Sequence, residues 1–384
     1  MNKKSVAFFV ENLAGGGVEK ILQIILKHWD YKRYPITLYS IREEKELFNQ
    51  LFPNTIDYHY IFERDDINDK KITQLLKKLK NKILLLTYYH CPPSFFYHCF
   101  IRKSFDVGVA FIEGFATRIL SGAPSGMRKI AWLHTDFQKN HWTDIAFRNR
   151  EEEKKCYRNI EHIVCVSKEV KRQIDDLYET QDHSLIVYNP IDKNEIIYQS
   201  EFPIEEKRKS DNCTLIVSFG RLERGKGFER LINIAFQLQQ SDYYFELWII
   251  GDGSEKSKLE QQINGLQLGQ TVRLLGYKNN PYPYLKACDF YVCPSYAEGY
   301  NTAITEALIL GKPIVSTDCS GVREQLGDSE YGIVTENKVI ALYEGICKMM
   351  NSNNLQHYEE MANRRKSLFN LECQMEKIYE LIDE

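Results

Sequence analysis

Short runs of apolar, β-branched residues recur along this chain with room for one helix between each pair, and no other feature restricts its fold as much. The runs are Val6–Val10, Ile36–Ser40, Ile83–Leu86, Val107–Ile112, Ile130–His134, Ile163–Val166 and Leu185–Tyr188. A second series follows at Leu215–Phe219, Glu246–Ile250, Val272–Leu275, Phe290–Cys293, Ile314–Ser316 and Gly332–Val334. They are continuous rather than alternating, as strands buried on both faces require. Strands that alternate with helices wind into parallel sheets, so the expected class is α/β.

The series breaks between about Asn189 and Asn212. Asn189-Pro190-Ile191-Asp192 reads as a turn, and the polar run Glu205-Glu206-Lys207-Arg208-Lys209-Ser210 follows. The strands then restart at Leu215, so the break reads as a hinge between two similar domains rather than a surface loop. At 384 residues the chain is long enough for two. The expected domains are 1–190 and 191–365, with a C-terminal helix over about 366–384 that packs back on the first.

With 43% apolar residues each half has material for a core, and a formal charge of −3 gives no global field for nucleic acid. Ten cysteines contain no C-x-x-C pair and several sit inside apolar runs. They read as buried free thiols in a reducing compartment. The apolar run after Met1-Asn2-Lys3-Lys4 is too short for a signal peptide, and nothing approaches the roughly 18 apolar residues of a membrane span. The expected location is cytoplasmic.

Ligands of open parallel sheets bind beyond the carboxyl ends of strands. Val6–Val10 leads to Gly15-Gly16-Gly17-Val18-Glu19 and an apolar-periodic helix, which suits either a phosphate at the helix N-terminus or a plain turn. Leu215–Phe219 leads to Gly220-Arg221-Leu222-Glu223-Arg224-Gly225-Lys226-Gly227, where two cations bracketed by glycines could converge on a diphosphate. Glu246–Ile250 ends in the tight turn Gly251-Asp252-Gly253. Phe290–Cys293 leads to the most informative segment, Pro294 to Leu308. A helix is expected to start near Asn301 or Thr302, both N-cap residue types, and to stop at Gly311. Glu298 then lies just outside the helix and Glu306 within it. In the first half, His134 ends a strand on the expected ligand face.

These segments resemble the group 1 (family 4) glycosyltransferases, which are retaining enzymes of the GT-B architecture. The resemblance spans nearly the whole chain. It rests on Gly16-Gly17-Val18-Glu19, the run Gly220–Gly227, Gly251-Asp252-Gly253, the E-G-Y-x5-E run Glu298–Glu306, Asn189-Pro190-Ile191-Asp192 and Ser316-Thr317-Asp318. It implies two Rossmann-like doubly wound domains facing a central cleft. Arg221 and Lys226 would bind the donor diphosphate, and Gly16 and Gly17 would approach it from the other domain. Glu306 would hold the ribose and Glu298 the transferred sugar, with His134 contacting that sugar across the cleft. The backbone of Asn301 and Thr302 would donate to phosphate or sugar oxygens, and the base would lie near Leu275, Gly276 and Tyr277. Asn301 departs from the family, which often has Gly or Pro there. With no D-x-D pair present, no metal or other cofactor is expected: Arg221, Lys226 and helix N-termini would stabilise the leaving diphosphate.

The resemblance implies transfer of a hexose or N-acetylhexosamine, with a UDP-sugar expected as donor and a saccharide or lipid-linked acceptor in surface polysaccharide or glycoconjugate synthesis. Alternatives are a nucleotide-sugar epimerase or hydrolase on the same scaffold, or a non-catalytic nucleotide-sugar-binding partner subunit. A nicotinamide dehydrogenase is disfavoured, since no strand is followed by G-x-G-x-x-G. The first domain should read the acceptor, with Glu113 a candidate to face it. Its region 70–103 interleaves Lys70, Lys71, Lys77, Lys78, Lys80 and Lys82 with Ile72, Leu75, Leu76 and Leu79, followed by an aromatic group. That is a basic amphipathic helix, which either packs on a core or docks on an anionic membrane.

Overall fold

The computed structural model describes residues 3–13, 16–64, 71–210 and 212–384. The chain divides into two compact units, Met1–Pro190 with Glu372–Glu384, and Ile191–Leu371.

The first unit is built on seven parallel strands: β1 Val6–Val10, β2 Ile36–Arg42, β3 Asp57–Phe62, β4 Val107–Ala110, β5 Arg128–Leu133, β6 His162–Cys165 and β7 Ser184–Ile186. Their spatial order is β3-β2-β1-β4-β5-β6-β7, so the winding reverses between β1 and β4. The central strands are buried on both faces, with all of Val6 to Val10 within 3% exposure. The C-terminal helix Leu371–Asp383 belongs to this unit. The backbone carbonyl of Ile382 accepts from Lys4 Nζ at 2.8 Å and Arg128 Nη1 at 3.0 Å. The ring of Tyr379 stacks on Tyr34 at 5.1 Å between centroids.

The second unit holds six parallel strands: β8 Thr214–Phe219, β9 Phe245–Ile250, β10 Val272–Leu274, β11 Phe290–Cys293, β12 Ile314–Thr317 and β13 Ile333–Thr335. Their order is β10-β9-β8-β11-β12-β13, with the reversal between β8 and β11. Alternate residues feed two cores. Ile216, Leu247, Ile249 and Val292 pack on one face, while Leu215, Val217, Trp248 and Tyr291 pack on the other. This two-sided burial explains why the strands read as unbroken apolar runs. The stretch that reads as a hinge contains the helix Lys193–Ser200, started by Asp192, whose side chain accepts from Glu195 N.

Two sequence readings in the first unit are corrected. Ile83–Leu86 is not a strand but part of the helix Lys71–His90. Its apolar positions continue the helical period of Ile72, Leu75, Leu76 and Leu79, and a four-residue apolar run cannot by itself distinguish the two. The strand β3 escaped notice because it is an edge: Asp57-Tyr58-His59-Tyr60 is mostly half-exposed and carries no apolar run. Lys70 lies outside the described residues.

Candidate functional site

The segments singled out in the second half meet at the point where its sheet reverses, beyond the carboxyl ends of β8 and β11. Such switch points are where open α/β sheets form ligand crevices. The loop after β8 folds back tightly. A Cβ on Gly251 would lie 1.9 Å from the carbonyl oxygen of Gly220, and Leu222 N donates to Asp252 O at 2.9 Å. Gly227 has φ +69°, and a Cβ there would lie 2.1 Å from the carbonyl oxygen of Pro294. Only glycine allows the Lys226 loop to sit this close to the segment after β11.

That closeness creates the main feature of the site. Lys226 Nζ donates to Glu298 Oε1 at 2.7 Å and Oε2 at 2.9 Å. Glu298 Oε1 also accepts from Ser295 Oγ at 2.5 Å and Asn301 Nδ2 at 3.0 Å. Three donors therefore fix a carboxylate whose side chain is 10% exposed. Asn301 does two jobs. Its Oδ1 caps the helix Thr302–Ile309, accepting from Ala303 N at 2.9 Å and Ile304 N at 3.4 Å, while its Nδ2 turns to Glu298 and to Cys293 Sγ. At this helix N-terminus, where the sequence led us to expect a phosphate, the Asn301 side chain thus already takes two of the free donors.

The remaining expected residues of this unit take different positions. Arg221 is exposed on the loop after β8. Glu306, on the second turn of the helix, is 2% exposed, and the Tyr282 hydroxyl donates to it at 3.4 Å. Tyr277 is 63% exposed, following Gly276, whose carbonyl accepts from Gly251 N. Ser295 is a site residue that sequence reading missed. A serine three residues before a glutamate is unremarkable in a loop, and only the fold turns its hydroxyl onto Glu298.

In the first unit, Gly16 is the N-cap of the helix Gly17–Lys27, the next element after β1. His134 directly follows β5, with its Nε2 buried and unpartnered. Burial holds its imidazole down from 6.5 to about 3, against a smaller raising effect of a hydrogen bond to the Phe111 backbone. It is therefore a neutral group, suited to hydrogen bonding rather than to proton exchange near neutrality. Glu113, the candidate for facing the acceptor, is a buried side chain. It is 1% exposed, and accepts from His134 N at 3.0 Å and Trp142 Nε1 at 3.2 Å. Its carboxylate pins the backbone that carries His134. Among the described residues, His141, Asp144 and Glu153 of this unit bring possible metal-ligand atoms within 4.8 Å of one another. Those atoms already pair internally, with His141 Nε2 3.0 Å from Glu153.

The helix Lys71–His90 is held at its end, where the Tyr88 hydroxyl donates to Ala146 O and Arg118 donates to Tyr88 O. Before that, Ile72, Leu75, Leu76, Leu79, Ile83 and Leu86 are each 50–74% exposed. No described helix is long and apolar enough to cross a membrane.

The chain, with two units each built on a doubly wound parallel sheet, has the GT-B fold. The solved structure of HepE from Anabaena, in complex with UDP and glucose, matches with a TM-score of 0.75 over 99% of this chain and 100% of that one, at 19% identity. Residues 199–367, within the second unit, match the model of the family described as "Glycosyl transferases group 1". One relative is the N-acetylgalactosamine-N,N'-diacetylbacillosaminyl-diphospho-undecaprenol 4-alpha-N-acetylgalactosaminyltransferase of Campylobacter jejuni. It is 34% identical over 48% of this chain and 49% of its own length, so the chain matches about half of it. An uncharacterized glycosyltransferase of Methanocaldococcus jannaschii is 26% identical over 76% of this chain and 75% of that protein.

Proposed function

We propose that this protein is a retaining glycosyltransferase that moves a hexose or N-acetylhexosamine from a UDP-sugar to a saccharide or lipid-linked acceptor of surface polysaccharide or glycoconjugate synthesis. The observation that carries the reading is Glu298, held by Lys226, Ser295 and Asn301 where the second sheet reverses. An ammonium has three N–H donors, and two face Glu298, which leaves one for a phosphate oxygen. Arg221, exposed on the same loop, supplies a second cation. Both stabilise the diphosphate as the glycosidic bond breaks and charge moves onto it. These cations replace a divalent ion, so transfer should survive chelation by EDTA. Glu298 is the acceptor of sugar hydroxyls and Glu306 of the ribose. His134, a neutral imidazole, is the hydrogen-bonding group that the first unit contributes to this reading. UDP as the nucleotude carrier is supported by the HepE complex, and a lipid diphosphate acceptor by the name of the Campylobacter relative.

The acceptor reading extends to the helix Lys71–His90. Six apolar residues from Ile72 to Leu86 lie within a stripe about 100° wide and about 21 Å long. Lys71, Lys78 and Lys82 flank one side and Lys80 the other. An apolar stripe edged by lysines fits the interface of an anionic bilayer, where a lipid-linked acceptor resides. The location that follows is peripheral, on the inner face of the plasma membrane.

The test is nucleotide release from a panel of UDP-sugars, with and without lipid-linked saccharides. Acceptor-dependent UDP release with an unchanged anomeric configuration is expected. Release without any acceptor would favour the hydrolase or epimerase alternative, and no release from any donor would favour a silent binding subunit. Flotation with anionic vesicles tests the helix: recovery only in the pellet would remove the membrane reading.

A further inference from the structure

Arg230 lies on the first turn of the helix Phe228–Gln240 and is 2% exposed. Its hydrogen-bond partners are all neutral: the Pro294 carbonyl at 2.6 Å from Nε, Asn337 Oδ1 at 2.7 Å from Nη1, and Thr317 Oγ1 at 3.4 Å from Nη2. Its guanidinium carbon sits 3.9 Å from the centroid of the Tyr296 ring. No carboxylate pairs with it among the described residues, and the adjacent Glu229 accepts from the Tyr296 hydroxyl at 2.6 Å. A buried cation with no counter-charge is costly, and an apolar side chain would fill the space without that cost.

The contacts show what the guanidinium does. The carbonyls of Pro294, Ser295 and Tyr296 are each held in turn. Arg230 takes the first, Thr317 Oγ1 the second at 2.6 Å, and Asn337 Nδ2 the third at 2.9 Å. Thr317 and Asn337 are themselves the other two partners of Arg230. Tyr296 N closes the set by donating to Gly225 O at 2.8 Å. On the other side, Arg230 Nε lies 2.8 Å from where a Cβ of Gly227 would be. One planar fork thus locks the Lys226–Gly227 turn against the segment that bears Ser295 and Glu298. Lysine cannot reproduce it, because a single point charge cannot meet three divergent acceptors in a plane.

We infer that Arg230 is a positioning residue for sugar transfer, acting through Pro294–Tyr296 to hold the Ser295 hydroxyl and the Glu298 carboxylate in register with Lys226. This rests on the donor-site reading above and adds a residue to it. Arg230 touches neither donor nor acceptor. Its effect falls on the placement of the sugar rather than on nucleotide affinity.

The experiment compares wild type with Arg230→Lys, Arg230→Met and Asn337→Ala, the last removing a partner of the fork without emptying the core. UDP-glucose, UDP-galactose, UDP-N-acetylglucosamine and UDP-N-acetylgalactosamine serve as donors, and UDP itself as competitive inhibitor. Misplacement of reacting groups by about 1 Å costs on the order of 100-fold, so kcat should fall about 30-fold or more in Arg230→Met. Asn337→Ala should lose about 3- to 10-fold, in the same direction. The inhibition constant of UDP should stay within about threefold in all variants that keep the wild-type circular dichroism spectrum, since uniform binding is untouched. Arg230→Lys should recover only a small part of the lost kcat. Three results would overturn the inference: an unchanged kcat in Asn337→Ala and Arg230→Met, a loss of kcat matched by an equal loss of UDP affinity, or full rescue by lysine. Failure of the wild type to release UDP from any of the four donors would instead overturn the donor reading on which the inference rests.

Discussion

Asn301→Asp separates the two jobs of Asn301 more cleanly than a deletion. Aspartate caps a helix as well as asparagine, so the acceptor for Ala303 N and Ile304 N is kept. What changes is Nδ2, which becomes an oxygen 3.0 Å from Glu298 Oε1. The hydrogen bond to a charged group is lost, at about 1.5–3 kcal/mol. Two carboxylates at that separation would add about 5 kcal/mol of repulsion at an effective dielectric of about 20. Lys226, 2.7 Å from the same oxygen, offsets part of this. The pair also escapes part of it by keeping one proton. We expect a net loss of about 3 kcal/mol at pH 8, summing these terms. The pH dependence follows from the shared proton. Folded, the pair holds that proton to a higher pH than the unfolded chain, whose carboxyls ionise from about pH 4 upward. Stability therefore falls as pH rises from that point, until the folded pair has ionised as well. Urea denaturation at pH 5 and pH 8 reads this directly. Asn301→Ala is the control, losing cap and donor, about 2 kcal/mol, without a new charge and equally at both pH values. Equal stability of Asn301→Asp and wild type at pH 8, or a deficit that grows toward pH 5, would refute the reasoning.

Other consequences are as specific. Glu298→Ala and Lys226→Ala should each abolish transfer while circular dichroism shows an intact fold; near-wild-type transfer by either would dissolve the site. His134 has its pKa depressed to about 3, so its contribution to stability is full above pH 6.5 and is lost as pH falls toward 3, by about 1.4 kcal/mol per pH unit. His134→Gln should flatten the slope of unfolding free energy between pH 6.5 and pH 5, and an unchanged slope would show that the imidazole is solvated. Gly227→Ala forces a left-handed φ of +69° on a residue whose Cβ would overlap the Pro294 carbonyl, and should cost at least about 2 kcal/mol in urea denaturation. Leu76→Gln and Ile83→Gln together should leave Tm within about 1 °C, because both side chains are more than half exposed, yet abolish flotation on anionic vesicles.

Much of this was legible in the chain because doubly wound sheets write themselves plainly. Continuous apolar strands such as β8 and β11 fixed where the glycine turns must fall, and Asn301 declared the helix start as an N-cap residue. Two elements defeated the reading for opposite reasons. Ile83–Leu86 carried an apolar run that belonged to a helix period, and β3 was an edge that needs no apolar run. The side-chain geometry was less accessible than the elements. Sequence spacing placed Glu298 outside the helix, but could not show that Lys226 would pair with it, since that contact depends on Gly227 meeting Pro294, 67 positions further along the chain. Glu113 illustrates the converse. Its position after a strand on the ligand face suggested acceptor contact, whereas its burial under Trp142 and the backbone of His134 makes it a support.

The most direct test of the central claim is UDP release from UDP-sugars by wild type and by Glu298→Ala, measured with and without a lipid-linked saccharide and in the presence of EDTA. The account predicts release that depends on the acceptor, persists under chelation and vanishes in the variant. Release that ignores the acceptor, or that Glu298→Ala retains, would contradict it.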